Sequence, residues 1–349
     1  MGEPRTRVYL TVDVECAEER IRHGRLHPPL DYDLRVWGRF RNQAEDLGVP
    51  ALLRELERTG ARATFFVEAL GAAFFGEGQL RALCRRLLDA GQDVQLHLHP
   101  VQRRADWHTR GERPAPDELS RYELEAQTAL LREGRSLLEG CGVDAEALLA
   151  FRAGHYAASN ETWRAMRASG LVLSSSYNLS YLHRTCGIRW PSPANALFRT
   201  DVPGVWELPV SNFAEGGGRH RHLEICAVSL REVAHYLREA RRLGIGEVTI
   251  ITHSFELFFL DSAARRRGRP NRLALERLRG VLAFLRDLPD EFELATVGAL
   301  ARELRAAGQG VAPGSAGVGV IPAGRLALRW GRMVEQARQR LAAKAGLIS

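Results

Sequence analysis

The sequence predicts an α/β protein built on a mostly parallel sheet, and three observations carry that prediction. Strand-like and helical patterns alternate through roughly the first 305 residues, which is how βα repeats read in sequence. Three apolar runs, Val8 to Glu15, Val94 to His99 and Val248 to His253, end in ionisable side chains. Residues two apart on a strand share a face, so Asp13 pairs with Glu15 and His97 with His99. A parallel sheet covered by helices gathers its strand C-termini on one rim, where α/β proteins bind ligands. Two carboxylates and three imidazoles, His253 included, are therefore expected at one opening. Such a set serves metal binding or acid/base chemistry.

The elements follow in order. After the first strand, Glu18 to Gly48 is long, polar and proline-containing, with Trp37 and Phe40 as apolar anchors, and reads as a rim loop. Val49 to Thr59 has the amphipathic spacing of a helix closed by Gly60, and Ala63 to Val67 reads as a buried strand. Gln79 to Ala90 is a second helix, ended by Gly91, that leads into the His97 strand. Pro100 to Pro116, arginine-rich with Trp107 and His108, reads as a second rim loop, and Asp117 to Gly140 as a long helix. Ala147 to Phe151 is a short strand delivering Arg152, Ala153, Gly154, His155 and Tyr156, after which Asn160 caps a helix running to Ser169. Strands are expected at Leu171 to Ser176, Trp206 to Val210 and Phe292 to Val297, and helices at Ser229 to Leu243 and Asn271 to Leu288. The chain divides into a main domain over 1–305, a Gly/Ala-rich linker over 306–323 and a basic amphipathic helix over 324–349. In that helix Leu326, Trp330, Met333, Val334, Ala337 and Leu341 form the stripe. The helix is expected to dock on its own domain or to make peripheral contact with an anionic membrane or a partner protein.

Composition bounds the function. A hydrophobic content of 45% with 26% charged residues is ordinary for a globular chain. No run approaches the roughly 18 to 20 apolar residues of a membrane span, and no secretory h-region precedes Val8, so the expected location is cytoplasmic. The five cysteines are widely spaced with no Cys-x-x-Cys pair, which argues against a disulfide framework and a cysteine zinc site. The net charge of +7 rests on arginine, because Lys344 is the sole lysine. The basic clusters Arg219 to His222 and Arg265 to Arg269 read as mobile polar loops, with a hold on a phosphate-bearing or acidic substrate as the alternative, and lie outside any nucleic-acid-binding motif, so no nucleic-acid partner is expected.

Taken in order, Thr11-Val12-Asp13-Val14-Glu15, His97-Leu98-His99, Phe151-Arg152-Ala153-Gly154-His155-Tyr156, Glu207-Leu208-Pro209-Val210-Ser211 and Ile251-Thr252-His253-Ser254 resemble the motifs of the polysaccharide deacetylase family, the NodB-homology or carbohydrate esterase family 4 fold. Thr64-Phe65-Phe66-Val67 and Thr296-Val297-Gly298-Ala299-Leu300 look like further landmarks, and the resemblance spans residue 8 to about 303. It implies a deformed (β/α) barrel of about seven parallel strands, with long rim loops and one divalent metal ion, zinc foremost, at the C-terminal mouth. The implied activity is removal of an N-acyl group, acetyl foremost, from an amino sugar in surface-polysaccharide or glycoconjugate metabolism. Relatives cleave other C–N bonds, so a non-sugar amide, imide or ureide is the alternative substrate. A catalytically silent carbohydrate-binding member is the alternative to an enzyme.

The resemblance also distributes roles. Asp13 matches the base that takes a proton from metal-bound water, whose pKa such a metal lowers toward ~7. Arg152 matches the arginine that orients the base, and His253 the acid that protonates the leaving amine. The family's second aspartate, a metal ligand, is replaced by Val14, so Glu15 is assigned as ligand with His97. The usual second histidine, four residues on, is replaced by Val101, and His99 is the substitute. The aspartate that orients the acid falls in Ser174-Ser175-Ser176, which leaves Glu207 or Glu256 to compensate. His155, Tyr156, Trp107 and Glu207 complete the expected set as substrate-binding residues, with a backbone N–H near His155 or Tyr156 facing the oxyanion.

Overall fold

A computed structural model of the chain describes residues 5–191, 193–308, 321–323 and 330–337. Among the described residues nine strands form the main sheet: β1 (Thr6–Val14), β2 (Thr64–Glu68), β3 (Asp93–Leu98), β4 (Ala150–Ala153), β5 (Leu173–Ser174), β6 (Phe198–Arg199), β7 (Trp206–Glu207), β8 (Glu247–His253) and β9 (Phe292–Ala295). Their order is β8-β1-β2-β3-β4-β5-β7-β6, with β9 also on β1, and every pair is parallel except β6 with β7. The sheet curls into an incomplete (β/α) barrel. Eight of these strands run parallel.

The alternation of β1 explains both faces of the sheet. Val8, Leu10, Val12 and Val14 point outward and join Phe65, Val67, Leu96 and Leu98 under the helices Val49–Glu57, Glu77–Asp89, Leu124–Gly140, Leu230–Arg242 and Arg272–Asp287. The residues between them point inward, where Tyr9 packs with Phe66, Leu149, Leu208, Val297, Leu300 and Leu304 in a second, smaller cluster. Higher along the same strand stand Thr11 and then Asp13. One inward face thus changes from apolar plug to polar site within one strand, as a period of two permits.

The helix Val297–Ala307 closes the barrel floor through a buried polar network. Thr64 Oγ1 donates to Asp93 Oδ2 at 2.8 Å, and the N–H groups of Val297 and Gly298 donate to Thr64 Oγ1 and Asp93 Oδ2 at 2.8 Å. Gln95 donates to Asp93 at 2.7 Å and accepts from the Leu149 and Ala150 N–H groups at 3.0 and 2.8 Å.

Several sequence expectations are corrected. The helix expected from Asp117 begins at Leu124, because Asp117 is drawn into the site and a separate turn, Leu119–Arg121, intervenes. The Glu18 to Gly48 loop contains a hairpin, Arg20–Arg22 with Arg25–His27, and a short helical segment, Tyr32–Trp37. Of the two basic clusters, Arg219–His222 is a strand, while in the second Arg265 and Arg266 lie in a turn and Arg267 opens a strand. Arg219–His222 pairs with Asn212–Gly216, and Arg221 is held by Glu215 and Glu232 at 2.7 and 2.8 Å. Arg267–Pro270 pairs with Phe258–Ser262.

Of the expected linker, Ile321–Pro322 forms a strand beside Asn212–Gly216, and residues 309–320 lie outside the described residues. Of the expected terminal helix, residues 330–337 are helical and the remainder lies outside the described residues. The helical piece meets the domain through polar groups. Glu335 pairs with Arg277 at 2.9 Å and Arg332 donates to the Ala227 carbonyl at 3.2 Å, while Trp330 (63%), Met333 (54%) and Val334 (44%) are exposed. Among the described residues no helix is long and apolar enough to cross a membrane.

A methyl group at Gly298 would collide with the Asp93 carboxylate and the Gln95 amide. Gly298→Ala is therefore expected to cost about 1–3 kcal/mol, read as a lower urea midpoint at unchanged slope.

Candidate functional site

Parallel register assembles the site. Asp13 lies opposite His253 across β1 and β8, Glu68 opposite His97 across β2 and β3, and His97 opposite Arg152 across β3 and β4. Glu15 and His99 extend these runs one step past the strand ends onto the rim. The structure brings Glu15, His97 and His99 together and sets His253 beside Asp13.

Glu15, His97 and His99 form the first cluster. Glu15 Oε2 is 2.7 Å from His99 Nε2 and 3.5 Å from His97 Nε2, and one ligand atom from each residue lies within 4.8 Å of the others. The opposite ring nitrogens are both engaged: His97 Nδ1 with the Arg152 carbonyl at 2.8 Å and His99 Nδ1 with Asp117 Oδ2 at 2.8 Å. A carbonyl can only accept, so His97 carries a proton on Nδ1 and turns Nε2 toward Glu15. A carboxylate behind an imidazole is the usual support of a metal-binding histidine. Burial alone would raise the Glu15 carboxyl and lower His99, yet the surrounding charges reverse both. His99, His97 and Arg35 hold Glu15 well below its ordinary value, and Asp117 and Glu15 hold His99 well above. The site favours positive charge between Glu15 and Asp117, and its donor set of two imidazoles and one carboxylate fits zinc.

Asp13 and His253 form the second part. Arg152, fully buried, donates to Asp13 Oδ1 at 2.6 Å and Thr11 Oγ1 at 3.0 Å from Nη1, to the Ser175 carbonyl at 3.1 Å from Nε and to Ser175 Oγ at 3.0 Å from Nη2. The Phe66 ring lies beneath its guanidinium at 4.2 Å. His253 Nε2 stands 4.0 Å from Asp13 Oδ2, and its Nδ1 faces Glu256 Oε1 at 3.1 Å and Glu224 Oε1 at 3.5 Å. Burial would lower this imidazole, but Glu256, Asp13 and Glu224 raise it to about 10. The two glutamates divide the cost of adjacency. Against burial, His222 and His253 draw Glu224 down to about 2, whereas burial and Glu224 push Glu256 up.

The remaining expected residues fall unevenly. His155 and Tyr156 both adopt left-handed backbone (φ 51° and 56°), costly for residues with side chains and typical of constrained sites. His155 Nδ1 is 3.5 Å from Asp117, and a Cβ at Gly154 would meet the His99 ring at 2.6–2.7 Å, so only glycine lets this turn close over His99. Tyr156 is buried against Tyr181, with ring centroids 4.9 Å apart, and its phenol is raised by burial and by Asp13. Trp107, His155 and Asp117 line one cleft of about 540 Å³. Glu207 is corrected: it is fully buried and its oxygens accept from Trp163 Nε1 at 2.9 Å and from the Ser176 and Tyr177 N–H groups at 2.7 and 2.8 Å. It braces β5 against β7 and is neither substrate-facing nor the partner of His253; Glu256 fills the latter place.

Sequence reasoning missed four residues. Asp117 was hidden inside an expected helix. Glu224 lies on an irregular stretch without a pattern. Arg35, stacked at 3.1 Å on Phe255 and 3.4 Å from Glu15, came from the long loop. Glu68 accepts from the Leu70 and Gly71 N–H groups at 2.8 Å and from His99 N at 3.3 Å, pinning the backbone of a ligand candidate. Its place at the end of a buried strand, opposite His97, was the signal available.

No protein-family model and no curated protein matches the sequence. The structure is similar to a protein from Mycobacterium smegmatis described as a polysaccharide deacetylase, at 17% identity and TM-score 0.53, covering 91% of this chain and 96% of that one. It also matches a family 4 carbohydrate esterase from Streptomyces lividans in complex with acetate (13%, TM-score 0.38, 81% and 89%). A third match is the peptidoglycan deacetylase PdaC from Bacillus subtilis (11%, TM-score 0.39, 87% and 94%).

Asp117→Asn keeps the shape at His99 and removes the charge behind it. Zinc affinity, measured by competition with a chromophoric chelator, is expected to fall about 10- to 100-fold.

Proposed function

We propose that this NodB-like deacetylase fold carries a metal-dependent hydrolase that removes an N-acyl group, acetyl foremost, from an amino sugar. The observation that carries the reading is the position of Asp13, held by Arg152 on one oxygen and facing His253 on the other, beside the Glu15–His97–His99 cluster. Base, acid and cation ligands at one opening are what amide hydrolysis requires.

Glu15, His97 and His99 would hold the metal, which when bound supplies Lewis-acid polarisation and an acidified water. Asp13 takes the proton from the attacking water through the oxygen that Arg152 leaves open. Arg152 fixes the carboxylate in orientation. His253 donates a proton to the amine nitrogen as the C–N bond breaks, and Glu256, with Glu224 behind it, holds that imidazole in its charged, oriented form. The Trp107-lined cleft, about 540 Å³, is of a size for a sugar, and an indole face suits an apolar sugar surface. Glycoconjugate or surface-polysaccharide metabolism is the matching setting.

Asp13→Asn should retain zinc and lose turnover about 10²- to 10⁴-fold, whereas Glu15→Ala should lose zinc itself. Zinc content by elemental analysis beside acetate release from N-acetylated sugars separates the two. Exchanged phenotypes would reverse the roles, and a protein that takes up no zinc would favour a binding function.

The pH profile tests the acid. His253 must be protonated to act, so activity is present below its pKa and lost as pH rises through about 10. Glu256→Gln removes the first carboxylate that raises it, so the basic limb of kcat/KM should move to lower pH by roughly one to three units. An unmoved limb would exclude His253 as the titrating acid.

A further inference from the structure

Behind His253 stands a second cluster of metal-type donors. His253 Nδ1 lies 3.1 Å from Glu256 Oε1 and 3.5 Å from Glu224 Oε1, and one ligand atom from each residue lies within 4.8 Å of the others. The cluster shares no residue with Glu15, His97 and His99.

The second oxygen of each carboxylate is anchored elsewhere. Thr252 Oγ1 and the His253 N–H donate to Glu256 Oε2 at 3.0 and 3.3 Å. His222 Nε2 lies 3.1 Å from Glu224 Oε2, and its ring is stacked on Tyr181 with centroids 5.6 Å apart. Nδ1 of that ring is buried and has no hydrogen-bond partner among the described residues. Each glutamate therefore keeps one oxygen fixed and turns the other toward His253, the way outer contacts orient metal ligands. The side chains of Glu256, Glu224 and His253 remain 13%, 17% and 20% exposed, which leaves the cluster open to an ion. Glu224 and Glu256 also hydrogen-bond to each other, which two carboxyl groups do only by holding a proton between them. One imidazolium balances a single carboxylate, whereas a divalent ion balances both.

We propose that Glu224, Glu256 and His253 Nδ1 form a second divalent-cation site, whose occupancy by zinc or a similar ion inhibits the hydrolase. Two carboxylates and one imidazole are a donor set that zinc accepts. The ion takes Nδ1, where the charged imidazole carries a proton, so an occupied site deprives His253 of the form that protonates the amine. Only this inhibitory consequence rests on the hydrolase reading.

Equilibrium dialysis of the full chain against buffered zinc in excess, with elemental analysis of the protein, tests the site. A second ion is expected beyond the one that Glu15→Ala removes. The paired substitution Glu224→Gln with Glu256→Gln, isosteric at both positions, should abolish the second ion and keep the first, whose retention reports an intact fold. His222→Phe keeps a ring on Tyr181 and frees the Glu224 carboxylate, so the second affinity should fall about 10- to 100-fold. Uptake limited to an ion that Glu15→Ala removes overturns the site. So does a second ion that survives the paired substitution or is unmoved by His222→Phe. Acetate release should decline as the second ion binds, and in His222→Phe the decline should need about 10- to 100-fold more zinc. A second ion that binds without this decline overturns the inhibition. A single ion that is kept in Glu15→Ala and lost in the paired substitution supports this site and counts against the hydrolase reading, so the two failures are distinct.

Discussion

The buried Arg152–Asp13 pair is the contact that the rest of the site depends on. A guanidinium without access to solvent is tolerated only where its donors are met, and here Thr11, Asp13 and both the carbonyl and hydroxyl of Ser175 meet them. Those partners come from β1 and from the segment that follows β5, on opposite sides of β4. The pair therefore ties together strands distant in sequence, and a register shift of one residue in either would turn Asp13 or Arg152 outward. The Arg152 carbonyl also fixes the ring of His97, so one residue sets the base through its side chain and a ligand candidate through its backbone.

Around that pair the site is organised as imidazoles backed by carboxylates. Asp117 stands behind His99 and Glu256 behind His253, each at Nδ1, and each frees Nε2 to face the centre. The repetition follows from geometry, since an imidazole at a strand end has one nitrogen toward the opening and one toward the loop that follows. Asp117 comes from a loop and Glu256 from the short helical turn Ser254–Leu257. Asp117 is eighteen residues after His99 and Glu256 three after His253, which is why a motif built on strand ends shows the second more readily than the first.

The Ser174-Ser175-Ser176 segment shows how a strand end without a carboxylate still serves the site. Without a carboxylate there, Ser175 serves Arg152 and Ser176 Oγ accepts from the Ala153 N–H at 3.1 Å, while orientation of His253 passes to Glu256. Glu207 takes the structural share, holding the Ser176 and Tyr177 backbone from β7. A buried carboxylate with that many backbone donors is fully occupied as a brace.

By itself the sequence determined the parallel βα architecture and the strand ends that carry Asp13, Glu15, His97, His99, Arg152 and His253. Period-two alternation and the shared rim of a parallel sheet are local rules that a linear pattern contains in full. Tertiary structure decided which loop residues complete the site. Asp117 left an expected helix to reach His99, Glu256 rather than Glu207 met His253, and the arginine clusters at Arg219–His222 and Arg267–Pro270 became paired strands. Contacts of that kind depend on where loops of irregular conformation cross in space, and no periodicity records the crossing.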